Sequence, residues 1–262
     1  MTIALDDDRA ELLDELTAES QLFCGLDYDG TLAPLAPTPG QAVPFPGTEG
    51  LLRRLAARPG RAVAIVTGRA GDDGRALLAL DEAYYVGIHG LELKRPGGAV
   101  TDSSAGRRAR EILPALIQEL RARIAGRDGL LIEEKGAAVA LHYRLAAAKD
   151  AAFAREQLDA LLADSRARGE QLDRLPGHEV VEIRPAGVDK GRALCELLDA
   201  DAPRARALYI GDDRTDEDAF RALPPSAVTI RVGDASVETR AAFRLSDPAA
   251  VHSFLQRLAG GD

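Results

Sequence analysis

Tryptophan is absent from this 262-residue chain, and aromatic residues make up only 4% of it. The core must therefore be built from Leu, Val, Ile and Ala. Cysteine is nearly absent too. Cys24 and Cys195 are far apart in sequence and each sits in an apolar segment, which fits reduced, buried thiols better than a disulfide. Lysine is scarce: only Lys94, Lys135, Lys149 and Lys190 are found among 33 cationic residues. Any lysine inside a motif is thus more noticeable. A basic surplus is also missing. The chain carries 42 acidic residues and a net charge of −9, the wrong sign for a nucleic-acid binder. No stretch approaches the roughly 18 consecutive apolar residues of a membrane span. The opening MTIALDDDRAELLDEL is acidic where a secretory leader would be basic and then apolar, so a cytoplasmic location is expected, with no membrane and no nucleic-acid partner. Hydrophobic residues, at 46%, are too many for a disordered chain.

What is present has a clear order. Residues 8–19 read as a helix with Leu12, Leu13 and Leu16 on one stripe. LFCGLDYD then reads as a buried strand with acids at its C-terminal tip, followed by the Pro- and Gly-rich loop GTLAPLAPTPG. A helix over 47–58, the strand AVAIVTGR, a helix over 72–80 and the strand AYYVGIHG complete a βαβαβ pattern. That pattern is the signature of a parallel sheet covered by helices. KRPGGAVTDSSAG reads as a linker. Helices over 106–125 and 148–168 then alternate with the strand segments LLIEEKG, AAVALHYR and QLDRLPGHEVVEIRP, an α+β pattern with an antiparallel sheet. After Pro185 the parallel pattern returns: a helix over 190–199, ALYIGDD, a helix over 215–222, AVTIRV and a helix over 248–259. The expectation is an α/β, Rossmann-like core formed by 1–102 and 186–262, interrupted by an inserted α+β domain at 103–185.

The chemistry gathers at the strand tips, which line the ligand crevice of an α/β sheet. Asp27 and Asp29 end the first strand, and Asp212 and Asp213 end another in GDDRTDED. Carboxylates so close repel unless a cation or proton lies between them. Oxygen-only sites of this kind suit Mg²⁺. Asp216, Glu217 and Asp218 read more simply as a solvated first helical turn behind a Thr215 N-cap. Thr67 and Gly68 offer a hydroxyl and amides to an anion, although most such turns are merely caps. Lys190 opens a helix against its dipole, which suggests an anionic partner, with an ordinary surface lysine as the alternative. Together these are the parts that phosphoryl transfer needs. No GxxxxGK[ST] loop is present to cradle a nucleotide.

DYDGTLAP, TGR, VDKG and GDDRTDED resemble, in order and spacing, the four motifs of the haloacid dehalogenase-like phosphatases. The resemblance implies that Asp27 is the nucleophile, Asp29 the general acid/base, and Thr67 and Lys190 the phosphate holders. It also implies that Asp27, Asp212 and the backbone carbonyl of Asp29 bind Mg²⁺, with Asp213 and Asp216 in support. The inserted domain looks like that superfamily's type-2 cap. GIHGLE at 87–92, IEEKGAAVALHYR at 132–144 and GHEVVEIRPAGVDKG at 177–191 are similar to the cap and hinge motifs of the trehalose-6-phosphate phosphatase family. TGR stands where many relatives have SGR, with the same hydroxyl. This resemblance implies a sugar-phosphate substrate and a pathway partner, trehalose-6-phosphate synthase. Related sugar-phosphate phosphatases, a receiver-like module and a non-catalytic sensor are the alternative readings.

In a strand, residues two apart share a face. Glu133 with Lys135, and Glu182 with Arg184, therefore form a polar face suited to sugar hydroxyls, although an exposed sheet face is polar in any case. With the resemblance, Glu133, Lys135 and Glu182 become the expected sugar contacts. Gly68, Arg69, His89, His142 and Arg184 are further candidates, and His142, like His178, reads equally as an ordinary surface or packed histidine.

Overall fold

The computed structural model describes residues 3–5, 10–70 and 78–260. The chain divides into two compact units, Met1–Thr101 with Asp189–Asp262, and Asp102–Val188.

The first unit begins with β1 (Ile3–Ala4), α1 (Ala10–Ala18), β2 (Leu22–Asp27), α2 (Thr48–Ala57), β3 (Arg61–Val66), β4 (Tyr84–Gly87), β5 (Glu92–Lys94) and β6 (Val100–Asp102). The second unit holds α3 (Ser104–Ile124), β7 (Leu131–Glu134), β8 (Val139–His142), α4 (Ala148–Ala167), β9 (Leu172–Pro176) and β10 (Val180–Pro185). The chain then returns through α5 (Lys190–Asp201), β11 (Arg206–Gly211), α6 (Asp216–Ala222), β12 (Val228–Val232), β13 (Phe243–Leu245) and α7 (Pro248–Leu258).

In the first unit the sheet order is β1-β13-β12-β11-β2-β3-β4-β5-β6. From β1 to β4 every pairing is parallel, and β5 runs antiparallel to β4. β2 is buried along its whole length, as a central strand with helices on both faces must be. Leu22, Cys24 and Leu26 pack on one side with Leu16, Leu52, Leu55, Val251 and Leu258. Phe23 points the other way, among Val66, Tyr209, Leu194, Leu197 and Phe220. The aliphatic composition thus suffices for two cores, one on each face.

Cys24 lies in the first of these cores, and burial pushes its thiol up to about 12. Cys195, expected to be buried, is only half-buried on α5; both thiols are free. Residues 94–106, expected as a linker, contain the end of β5 and all of β6, which extend the sheet edge. Three-residue strands show too little alternation to be seen in sequence. The helix expected over 72–80 falls mostly outside the described residues. No described helix is long and apolar enough to cross a membrane.

The second unit is an antiparallel sheet of order β7-β8-β10-β9. α3 packs on α4 and β10, and α4 also packs on β9. Ser103 caps α3 by accepting from the Gly106 amide, so the helix starts before the expected residue 106. On β8, Val139 and Leu141 alternate with Ala140 and His142. On β10, Val181 and Ile183 alternate with Glu182 and Arg184. The register places Glu133, Ala140 and Glu182 in one row across the sheet.

Candidate active site

Strand order reverses at β2. The chain runs outward through β3 and β4 on one side and later returns through β11 and β12 on the other. A crevice opens at the C-terminal ends of the strands at such a reversal. Asp27 ends β2, and Asp212 follows β11 directly beside it.

Asp27 is nearly fully buried, and Lys190 Nζ lies 2.9 Å from its Oδ1. The same ammonium lies 2.8 Å from Asp216 Oδ1. Lys190 is therefore the buried cation of an acidic cluster. Burial alone would favour its neutral form, but Asp27 and Asp216 hold it protonated well above the usual lysine range. Burial, and then the charge of Asp216, push Asp27 well above the usual carboxylate range, against the pull of Lys190. Burial and the charges of Asp216 and Asp213 raise Asp212 to about 6.

Carboxylate oxygens of Asp27, Asp212 and Asp216 all lie within 4.8 Å of one another. Three carboxylates facing one ammonium leave surplus negative charge, a donor set suited to a hard cation. Asp216, however, already accepts four hydrogen bonds. Its Oδ1 takes Lys190 Nζ and the Tyr209 hydroxyl, and its Oδ2 takes the amides of Asp212 and Asp213. A carboxylate has about four lone-pair sites. Asp216 is thus held mainly by protein donors, while Asp27 and Asp212 complete the acidic group.

These findings correct the solvated-turn reading of GDDRTDED. Asp216 is fully buried. Glu217 accepts from Arg231, Thr239 and the Arg240 amide. Thr215 makes no side-chain cap; instead Asp213 Oδ1 accepts from both the amide and the hydroxyl of Thr215. Thr31, unremarked in the sequence, donates to Asp212 Oδ1 at 3.4 Å. Gly30 has φ +79°, and a Cβ there would sit 2.1 Å from Asp212 Oδ2. Only glycine fits that turn beside that carboxylate.

Asp29 is not one of the three grouped carboxylates. Arg69 grips its carboxylate through two nitrogens, Nε at 2.8 Å from Oδ2 and Nη2 on Oδ1. The guanidinium also lies 4.9 Å from the Tyr28 ring centroid. Thr67 is buried, and its Oγ1 accepts from the Arg69 amide. The turn after β4 braces this loop: the Ile88 amide donates to Arg69 O and the His89 amide to Thr67 O. Ile88 and His89 adopt φ of 45° and 55° to do so, strained values for residues with side chains. The His89 ring lies against the Gly68 backbone.

In the second unit, Lys135 Nζ lies 2.8 Å from Glu182 Oε2, and His142 Nε2 lies 2.8 Å from Glu133 Oε2. Glu182 Oε1 and the Arg184 Nε and Nη1 atoms are buried with no protein partner. His178 is exposed beside Glu179.

The family model described as trehalose-phosphatase matches residues 25–249. A trehalose-phosphate phosphatase from Mycobacterium marinum is 37% identical over 244 residues, covering 89% of this chain and 60% of that protein. The chain thus spans somewhat over half the length of that curated relative. A bifunctional trehalose-6-phosphate synthase/phosphatase from Thermoproteus tenax is 39% identical over 236 residues, covering 89% of this chain and 31% of that protein. The solved trehalose-6-phosphate phosphatase of Aspergillus fumigatus superposes with a TM-score of 0.74 at 30% identity, covering 99% of each chain. A haloacid dehalogenase-like hydrolase from Bacteroides thetaiotaomicron shares the fold, with a TM-score of 0.62 at 16% identity over 91% of this chain and 99% of that one. With a match from β2 to α7 on a fold of the expected haloacid dehalogenase-like class, the chain belongs to the trehalose-phosphatase family.

Proposed function

We propose that the protein hydrolyses trehalose 6-phosphate to trehalose and phosphate through an aspartyl-phosphate on Asp27. The observation that carries this reading is the Lys190 ammonium 2.9 Å from Asp27 Oδ1 at the strand reversal. Asp27 attacks phosphorus, and the sugar oxygen departs with a proton from Asp29. Asp29 then takes a proton from the water that attacks the aspartyl-phosphate, which frees phosphate and restores Asp27. Lys190 and the Thr67 hydroxyl offset charge on the phosphoryl oxygens. Asp27, Asp212 and the backbone carbonyl of Asp29 would hold Mg²⁺, which when bound neutralises charge on nucleophile and phosphoryl group.

A change in stability should accompany metal binding. The metal-free Asp212 is raised to about 6 from its ordinary 3.8. A carboxyl raised on folding favours the native state at low pH, and that contribution is lost as pH climbs through about 4 to 6. The metal-free protein should therefore melt at a lower temperature at pH 7.5 than at pH 5.5. Mg²⁺ should raise the melting temperature more at pH 7.5, where Asp212 is ionised. Equal increments at both pH values would remove Asp212 from the metal site.

For the sugar we propose Glu133, Lys135 and Glu182, with Gly68, Arg69, His89 and Arg184 as further contacts. The buried, unpartnered Glu182 Oε1 and Arg184 nitrogens support this reading, since sugar hydroxyls can both donate and accept. Ala at Glu133, Lys135 or Glu182 should cost on the order of 1.5–3 kcal/mol in kcat/KM on the disaccharide phosphate. An aryl phosphate, lacking those hydroxyls, should be nearly unaffected. Equal losses on both substrates would point to a folding defect instead.

The deciding experiment is phosphate release from trehalose 6-phosphate, sucrose 6-phosphate, mannosyl-phosphoglycerate and glucose 6-phosphate, with and without Mg²⁺. Preference for another member of that panel, or full turnover in excess chelator, overturns the reading. A functional link to trehalose-6-phosphate synthase is supported by the fused architecture of the Thermoproteus relative.

A further inference from the structure

Tyr209 enters the sequence only as part of an apolar strand, and its ring does pack as core. It lies edge-on to Phe220, with centroids 5.8 Å apart. On the neighbouring strand, Gly25 leaves room for it: a Cβ there would come within 2.8 Å of Tyr209 Cδ2. The ring is thereby held in one place. Its hydroxyl is not core at all. It donates to Asp216 Oδ1 at 2.6 Å, the same oxygen that accepts from Lys190.

We propose that Tyr209 is a positioning residue for phosphoryl transfer, whose hydroxyl acts through Asp216 to set the Lys190 ammonium against Asp27. The proposal rests on the roles given above to Asp27 and Lys190. Two anions compete for the ammonium. Lys190 Nζ lies 2.8 Å from Asp216 and 2.9 Å from Asp27. A flexible lysine between two carboxylates settles toward the one less satisfied by other donors. Asp216 takes two backbone amides on Oδ2 and the Tyr209 hydroxyl on Oδ1. The hydroxyl occupies the second lone pair of Oδ1 and withdraws part of its charge. The ammonium therefore keeps its reach toward Asp27 and the phosphoryl oxygens. Burial and the charge of Asp216 keep the phenol proton on well above the ordinary tyrosine range, so the donor persists at all working pH values. Phenylalanine fills the same space and removes only the hydroxyl.

The scarcity of lysine makes the test direct. In protein labelled with ¹⁵N-lysine, four ζ-ammonium groups are present. Lys94 and Lys190 are the buried ones, and Lys94 pairs with Asp81 instead of the acidic cluster. Lys190→Arg assigns the Lys190 signal. In Tyr209→Phe without substrate, the Lys190 ammonium resonance should shift and broaden while that of Lys94 stays unchanged. In turnover of trehalose 6-phosphate, kcat should fall about tenfold or more with KM changed by less than about threefold. An unaltered Lys190 resonance overturns the proposal, whatever happens to kcat. Broadening of both buried lysines overturns it too, because the hydroxyl would then serve general packing. A shifted Lys190 with wild-type kcat would show that the hydroxyl positions the ammonium without serving catalysis, and so also rejects the proposed role. The ammonium readout needs no substrate, so a wrong substrate assignment would leave it intact and show up separately in the phosphate-release panel.

Discussion

Asp27→Asn is expected to abolish turnover of every phosphate ester, a loss of at least about four orders of magnitude if Asp27 is the nucleophile. No covalent phosphate should then be found under any condition. Asp29→Asn should behave differently. It removes general acid/base help, worth roughly 10²–10⁴-fold, and its effect should depend on the leaving group. An aryl phosphate departs without a proton, so the first step survives. The water that completes the cycle still needs a base, so phosphate should accumulate on Asp27. Acid-quenched mass spectrometry of Asp29→Asn after mixing with an aryl phosphate checks this directly. A burst of phenol without an adduct, or an adduct on another residue, would show that the roles are wrongly assigned. The Arg69 grip on Asp29 sharpens the test, since asparagine cannot form the same ion pair.

The second large effect is expected at Lys190. Lys190→Met leaves Asp27, Asp212 and Asp216 facing one another with no ammonium between them. Removing one partner of a buried charge cluster costs about 3–5 kcal/mol, and turnover should fall below detection. The pH dependence has a definite sign. Without the lysine, the carboxyls rise further above their unfolded values. Stability should then be greatest at low pH and fall as pH climbs toward neutrality. Asp216→Asn in the same background removes one of the repelling charges and should recover part of the stability but none of the turnover. Recovery of turnover would mean that Lys190 only balances charge within the fold. Thermal melts from pH 4 to 8, beside phosphate release, separate these outcomes.

The core was legible because its physics is local in sequence. LFCGLD and RALYIG alternate between two buried faces, and each ends where polar residues begin, so both the strands and the location of the carboxylates could be read. Lys190 announced its partner by opening a helix with the wrong charge. Local pattern alone makes Asp216 a solvated first-turn acid, which normally needs no further account; only the family resemblance puts it in support of the acidic cluster. What made it different was an ammonium 26 residues away and a phenol on the strand, contacts that only the folded chain creates. Tyr209 was hidden because strand alternation sees its ring and ignores its hydroxyl. The grip of Arg69 on Asp29 was hidden because it joins two loops through side chains alone. β5, β6 and β13 escaped notice because three residues cannot display a period.

Cys24 gives the central strand a built-in clock. Thiol reagents attack the thiolate, and this thiol is fully buried and pushed up to about 12. Cys195, half-buried on a helix, should be alkylated in the native protein, whereas Cys24 should wait for β2 to leave the sheet. Its labelling rate therefore measures how often the strand carrying Asp27 opens. Any ligand that binds at the tip of that strand should slow the clock, whether or not it is ever hydrolysed.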